Sequence, residues 1–326
     1  MMAFNYSQVT AITHDLIKDD LSIGIFKSNR FLNHLREKQD LEDGGNKIIC
    51  PLMVKDDTGT TGQFYSPRDA LSLDEYDGIS ASEHDWKYIT ESVVIYKADI
   101  AKNAGKLGVL KLISSKVKQA ELAFKQRMVK GALSDGTAAT GALSSKQFIG
   151  LDKIIAASGT YGGISPTDLA TWVSYVSDAA GVDRAITKTL VDDAYDQAVE
   201  EGIGGPKLGI MQKAMFTKFK GILEANQRTS KEDTLNGQGH KGQVLVYNGI
   251  EHFIENNMPN TAAGDGQLWY IDTDHFNLTV QKDNNMRRQS IKDLETADAL
   301  LERIFLYGNT VGKERKFHSR LTDITI

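Results

Sequence analysis

Residues 44–100 read GGNKIICPLMVKDDTGTTGQFYSPRDALSLDEYDGISASEHDWKYITESVVIYKADI, and this stretch decides how the rest of the chain is read. Its first nine residues after the two glycines, Asn46 to Val54, are strand-like. The run from about His84 to Ile100 is a second strand, rich in aromatic and β-branched residues. Between them lie about thirty residues dominated by Gly, Ser, Thr, Asp and Pro. Connections longer than about 12–15 residues without secondary structure are uncommon in compact domains and are usually functional or disordered. A two-stranded ribbon with a long tip is only marginally stable alone in water. The segment therefore calls for a neighbour to lie against.

The strongest helical signal follows directly. Leu110, Ile113, Val117, Ala120, Phe124 and Met128 recur at alternating spacings of three and four, so the sequence predicts one amphipathic helix from about Asn103 to Gly131. Asn103 is the expected N-cap and Gly131 the expected stop. Lys111, Lys116, Lys118, Lys125, Arg127 and Lys130 mostly decorate its other surface. Upstream, residues 1–43 read as helix with a break. Val9, Ile12, Leu16 and Ile17 form one piece and Phe31, Leu32 and Leu35 another, separated by the extended-looking run 21–26. Two broken helical pieces at a terminus need not bury against each other, and a partner is expected to order them.

Downstream the pattern becomes α+β. A helix is expected from Asp183, as N-cap, to about Glu201, with Ile186, Leu190, Ala194 and Ala198 on one face. A short strand at Lys207–Met211 precedes a helix carrying Met215, Phe216, Phe219, Ile222 and Leu223. Two strands, Gln243–Tyr247 and Glu251–Glu255, are split by Asn248-Gly249, a strong hairpin signal. Further strands are expected at Leu268–Asp272, Phe276–Gln281 and Leu300–Val311. No internal repeat or low-complexity tract interrupts the chain.

Composition limits the function. At 326 residues the chain can bury a sizeable core. A net charge of -5 argues against a protein built mainly to grip nucleic acid. One cysteine, Cys50, permits no intrachain disulfide; it lies in an apolar run and reads as packed. No signal peptide or apolar span of membrane length is evident, so a soluble protein made in a reducing cytoplasm is expected.

Catalytic chemistry is sparse. Asp272-Thr-Asp274-His275 is the nearest approach to a metal cluster, because two carboxylates two apart on a strand face the same side. It lacks a further ligand at suitable spacing, and turn formation is the favoured reading. A metal-dependent hydrolase using Asp272, Asp274 and His275 is kept as the alternative of another class. The glycine-rich runs at 202–207 and 237–242 match no phosphate-cradling motif, and no nucleophile elbow or zinc pattern occurs. Neither a cofactor nor a bound metal is expected, nor an enzyme. The basic residues Arg287, Arg288, Arg303, Lys313, Arg315, Lys316 and Arg320 could touch phosphate, but a solvated or salt-bridged surface is the better reading.

Taken in order, the parts resemble the major capsid proteins of tailed bacteriophages, the Hong Kong 97-type fold. The resemblance rests on the helical arm, Gly44-Gly45 leading into the long β-loop, the long helix, FIGLDKII (148–155), SGTYGGI (158–164), NGIEHFI (248–254), LWYIDTDHF (268–276) and IFLYGNTVG (304–312). Each motif is weak alone; their order and spacing carry the likeness, which covers nearly the whole chain. It implies an N-terminal arm at 1–45, an extended β-loop at 46–100, a peripheral domain at 101–159 and 266–326 with the long helix as its spine, and an axial domain at 160–265. Phe26 and Arg30 of the arm, and Phe64, Tyr65, Arg68 and Tyr76 of the loop, become candidates for contacts with neighbouring subunits.

The same resemblance implies a shell of hexamers and pentamers that encloses double-stranded DNA with weak, nonspecific contact. Scaffolding, portal and decoration proteins are its implied partners, and the virion, assembled in the host cytoplasm, its location. A nanocompartment shell protein shares the fold and is the close rival. No autocatalytic crosslink is carried over, because the residues for one cannot be matched.

Overall fold

The computed structural model describes residues 29–53, 64–70, 79–102, 106–137, 146–200, 204–223, 234–235, 238–239, 245–259, 265–294 and 296–326. Its first described element is α1, Arg30–Glu37, capped by Asn29, whose side-chain oxygen accepts from the Leu32 backbone N–H at 3.2 Å. Phe31, Leu32 and Leu35, the apolar triplet of the expected arm, are all buried. The helix does not continue to residue 43. It gives way to β1, Gln39–Glu42, which lies parallel to a C-terminal strand, with Gln39 opposite Leu278. Tertiary pairing outweighs the local helical preference here, and residues 30–42 belong to the body of the subunit. The first helical piece of the arm and the break at 21–26 lie outside the described residues.

The expected ribbon is present as β2, Ile48–Met53, antiparallel to β3, Ile79–His84, with Ile48 opposite His84 and Met53 opposite Ile79. The run from His84 to Ile100 is not one strand. It breaks at Asp85-Trp86, and β4, Lys87–Tyr96, leaves the ribbon to pair antiparallel with a C-terminal strand along ten positions, from Lys87 opposite Gly308 to Tyr96 opposite Ala299. Residues expected to end that strand form α2, Lys97–Lys102, anchored where Lys97 meets Asp293 and Asp298.

The long helix is α3, Lys106–Leu133. Val117, Ala120, Phe124 and Met128 of its apolar stripe are buried and Ile113 packs against the core, as the periodicity predicts. Asn103 and the side chain of Leu110 lie outside the described residues. The helix passes Gly131 rather than stopping there. A Cβ at that glycine would sit 3.5 Å from the Phe148 ring, so its role is close packing inside the helix. The end is closed instead by Ser134, whose hydroxyl donates to the Gly131 carbonyl at 2.9 Å, and by Gly136 at φ +86°.

The remaining elements follow in order as α4, Leu151–Ile154; β5, Tyr175–Ser177; α5, Lys188–Asp196; β6, Leu208–Met211; α6, Lys213–Ile222; β7, Thr234–Leu235; β8, Gln238–Gly239; β9, Leu245–Tyr247; β10, Ile250–Ile254; β11, Asp265–Ile271; β12, Phe276–Gln281; β13, Arg287–Asp293; β14, Ala299–Gly312; and β15, Ser319–Thr325. Helix α5 is shorter than its pattern. Arg184 is held in the sheet region by backbone bonds with Asp323 and Thr325, and Thr187, not Asp183, provides the N-cap. The β9–β10 hairpin turns at Asn248 (φ 51°) and Gly249 (φ 75°), the left-handed pair that Asn-Gly favours.

Two sheets organise the body. The first has the order β1-β12-β14-β13, with β4 also on β14; the second has the order β5-β15-β11-β6-β10-β9. Strands β11 and β15 both lie in the second sheet. One buried cluster runs from Phe124 and Met128 of α3 through Leu306 of β14 to Trp269 of β11 and Ile210 of β6, joining the layers. A second cluster, centred on Phe219, Tyr270, Leu245 and Leu321, fills the space between the second sheet and α5 and α6. No helix among the described residues is long and apolar enough to cross a membrane.

Candidate assembly surfaces

The ribbon is amphipathic at its base. Ile48, Cys50 and Leu52 of β2 are buried, while Ile49 and Pro51 between them face solvent, the period of a half-buried strand. On β3, Ser82 and His84 point inward. His84 packs on the Tyr161 ring with centroids 4.9 Å apart, and the Glu83 backbone N–H donates to the Gly162 carbonyl at 2.9 Å. Gly162 (φ +59°) is fixed twice, since a Cβ there would meet Ser82 Cβ at 2.6 Å. Burial holds the His84 imidazole neutral, with its pKa pushed down to about 4. Burial likewise raises the Cys50 thiol, which makes it a packing group.

Among the described residues, β2 and β3 pair as strands only with each other; Gly162 takes the Glu83 N–H on the outer edge of β3, and no further strand lies along the ribbon. Farther along, Phe64 is fully exposed and Tyr65 is 64% exposed. They precede a turn in which the Ser66 N–H donates to the Asp69 carboxylate at 2.7 Å and the Asp69 N–H to the Ser66 carbonyl at 2.9 Å. Arg68 sits exposed on that turn. Three of the six candidate contact residues are therefore on the surface with no core role. Arg30 is different: it is buried, bonds Glu251 at 2.5 Å and lies over the Phe253 ring, so it ties α1 to β10 inside the subunit. Phe26 and Tyr76 lie outside the described residues.

One exposed surface escaped the sequence reading. Tyr88 of β4 meets Tyr307 of β14 edge to face at 4.7 Å, and Arg287 of β13 lies over the Phe305 ring at 5.2 Å. These residues share the face of the first sheet turned away from α3. The alternation of KYITESVV (87–94) is the sequence signal for it.

The candidate metal cluster resolves into ion pairs. Asp272 is buried; its Oδ2 accepts from His275 Nδ1 at 2.7 Å and its Oδ1 from the Asp274 backbone N–H at 2.9 Å. Burial alone would raise its pKa, but these bonds outweigh burial and hold it below the usual range. Asp274 lies between Lys207 and Lys38, whose hydrogen bonds push its pKa down to about 2. The two carboxylates are spent on cations that tie α1 and the 204–207 segment to the β11–β12 turn. Among the described residues, no group of three or more His, Cys, Asp or Glu is placed to hold a metal ion.

The C-terminal basic residues are mostly consumed inside the fold. Arg288 pairs with Glu302, Lys313 with Asp40, Lys316 with Glu200 and Arg320 with Asp152. Arg315 has no exposed surface. It donates to the carbonyls of Ile154 (2.9 Å), Ala156 (2.8 Å) and Trp172 (2.8 Å), and its guanidinium lies 5.5 Å from the Tyr161 ring centre. Of the seven, Arg287 and Arg303 remain exposed on the first sheet.

No protein-family model matches the sequence, and no curated protein matches it. Solved structures do match, over nearly the full length. A chain from the capsid asymmetric unit of cyanophage A-1(L) superposes with a TM-score of 0.65 at 14% identity, covering 91% of this chain and 93% of that one. The chain has the fold of a capsid-shell subunit. Capsid-type chains from a native GTA particle match at a TM-score of 0.60 and 12% identity, with 90% of each chain covered. The SrpI encapsulin of Synechococcus elongatus matches at 0.53 and 10% identity, covering 88% of this chain and 85% of that one. Likeness at such low identity resides in the fold and not in shared side chains.

Proposed function

We propose that the chain is the structural subunit of an icosahedral head shell, the shell that encloses the double-stranded DNA of a tailed phage. The observation that carries this reading is the ribbon β2–β3: its base is built into the core, no further strand among the described residues pairs along it, and the aromatic residues Phe64 and Tyr65 are left exposed. A surface like this is unfavourable on a monomer and becomes useful when a neighbour covers it. In this reading the N-terminal arm at 1–45 and the extended loop at 46–100 would contact different patches of adjacent copies. Contacts between unlike patches close into rings of five and six, the pentamers and hexamers of such a shell. Residues 101–159 and 266–326 act in this reading as the peripheral domain, with α3 as its spine, and residues 160–265 as the axial domain. Scaffolding, portal and decoration proteins are the partners of this reading, and the virion, assembled in host cytoplasm, its setting. Its role is structural and not catalytic.

The rival reading, a nanocompartment shell, is supported by the encapsulin likeness at 0.53. The phage reading is preferred because the cyanophage capsid chain superposes better, at 0.65. Size-exclusion chromatography with light scattering on the expressed full-length chain tests the proposal. Particles of many copies are expected, and deletion of residues 58–80 should leave a folded subunit that assembles poorly. Normal particles from the deleted chain, or only monomers from the full chain, would reject it. A protein cargo in place of nucleic acid in native particles would favour the rival.

A further inference from the structure

We infer that residues 29–42 are a strap across the two sheets, and that its anchor on the second sheet, Asn29 and Arg30 held by Glu255 and Glu251, sets the direction in which the chain ahead of residue 29 leaves the subunit. Contact of that chain with a neighbouring copy rests on the shell reading above; the strap and its anchor do not.

The strap is fastened at both ends. At its C-terminal end β1 lies parallel to β12 in the first sheet, from Gln39 opposite Leu278 to Glu42 opposite Gln281. Lys38 adds a bond to Asp274 at 2.6 Å, and Asp40 takes Asn277 and Lys313. Between the ends, Phe31 stacks on Phe276 of β12 with ring centres 6.2 Å apart, and Leu32 and Leu35 are buried. At its N-terminal end α1 meets β10 of the second sheet instead. There Arg30 is buried, pairs with Glu251 and lies 5.7 Å from the Phe253 ring centre.

Asn29 carries the junction. Its Oδ1 accepts from the Leu32 backbone N–H and caps α1, while its Nδ2 donates to Glu255 Oε2 at 2.8 Å. The other carboxylate oxygen of Glu255 accepts from the backbone N–H and the side-chain amide of Asn257, at 3.1 and 2.7 Å. Glu255 is 5% exposed, so water does not readily replace a lost donor. Burial lowers the pKa of Lys125 of α3 and the Glu255 charge opposes that shift, so α3 also lies within reach of this carboxylate. One amide therefore closes the first turn of α1 and ties it to the second sheet.

The two fastenings are unequal. A backbone ladder holds β1 and fixes its register. Asn29 and Arg30 are held to the β10 side by their side chains. The N-terminal end is thus the one that can open locally while the subunit stays folded. While it is closed, the root of the arm follows the second sheet and not the first.

Trypsin reads the anchor, because cleavage after Arg30 requires its side chain to leave Glu251 and Phe253, and the rate follows the open population. Asn29→Asp keeps a capping oxygen but sets two carboxylates together. Cleavage of unassembled subunits after Arg30 should become at least about tenfold faster, the scale of one lost hydrogen bond to a charged group, with the far-ultraviolet circular dichroism unchanged. Adding Glu255→Gln restores a donor–acceptor pair with the roles exchanged and should return the rate to near that of the unsubstituted chain. Glu251→Gln, which weakens the Arg30 contact alone, is the second probe and should also speed cleavage. Direction is read by pulsed electron spin resonance between labels on Ser28→Cys and Val246→Cys, the latter on an exposed position of β9; Cys50 is buried and stays unlabelled. A single narrow distance is expected, broadened by Asn29→Asp. Unchanged cleavage in both single variants, a rate that the exchange does not restore, or a distance that is broad from the start or stays narrow in Asn29→Asp overturns the inference. In assembly, Asn29→Asp should give fewer closed particles and the exchange variant should recover them; equal yields would overturn the link to neighbour contact. Absence of particles from the unsubstituted chain counts against the shell reading alone, since the strap is measured on unassembled subunits.

Discussion

Replacing Arg315 with alanine is the sharpest test of how the subunit is held together. The guanidinium is wholly buried and bonds three carbonyls, those of Ile154, Ala156 and Trp172, at 2.8–2.9 Å. Those carbonyls belong to α4 and the segment leading to β5, and between them Tyr161 carries the base of the ribbon through His84. Hydrogen bonds to a charged donor contribute about 1.5–3 kcal/mol each, which taken alone overestimates the effect because the buried cation has its own desolvation cost. Removing one partner of a buried charged network typically costs about 3–5 kcal/mol, and that is the expected loss for Arg315→Ala. Arg315→Lys keeps the charge but not the planar fork, so about 2–3 kcal/mol is expected. Urea unfolding of dissociated subunits, followed by tryptophan fluorescence, reads this directly, because Trp172 is buried at the site. A loss below about 1 kcal/mol for the alanine variant would refute the clamp, since that is the cost of an ordinary surface contact.

Other expectations follow from the same packing. Phe124→Ala empties a fully buried ring site on α3 and should cost about 3–5 kcal/mol by urea unfolding; a change under about 1 kcal/mol would mean that the stripe does not face the core. Gly209→Ala should destabilise strongly or prevent folding, because its Cβ would sit 2.3 Å from His252 Cδ2; wild-type solubility and unfolding midpoint would contradict that. Acid should weaken the subunit. Burial lowers His84 and His252 to about 4 and His318 to about 3, so folding excludes protons that the unfolded chain binds below about 6.5. The stability these histidines provide is complete above pH 6.5 and is lost as pH falls toward 4, by up to about 1.4 kcal/mol per histidine for each pH unit. The urea midpoint should therefore drop between pH 7.5 and 5.5, and a midpoint that stays level would show that these side chains are not buried neutral.

Much of this architecture was legible because local and global preferences agree. The α3 stripe, the Asn248-Gly249 turn and strands β12 and β14 all follow patterns that the final packing uses unchanged. Elements held mainly by partners distant in sequence were missed. Strand β13, RRQSIKD, has no apolar alternation and exists because β14 pairs with it; β15, SRLTDIT, is paired between β5 and β11 and mostly buried although five of its seven residues are polar. The same competition cut α5 short and ended the arm helix at Glu37. At the candidate surfaces, exposed Phe64, Tyr65 and Arg68 were readable from the loop's composition. Arg30 and Arg315 were not, because a cation in sequence reads as surface, and only the fold supplies Glu251 or a ring of carbonyls to bury it. Asp272 and His275 do sit together, but the lysines that neutralise their neighbour Asp274 come from residues 38 and 207, which no local motif connects.

Electron cryomicroscopy of particles assembled from the full-length chain tests the central claim most directly. The account predicts closed icosahedral shells in which the loop bearing Phe64 and Tyr65 lies over an adjacent subunit while β2 and β3 stay anchored on Tyr161 of their own. Monomers, open sheets, or closed shells whose loops fold back on their own subunit would contradict it.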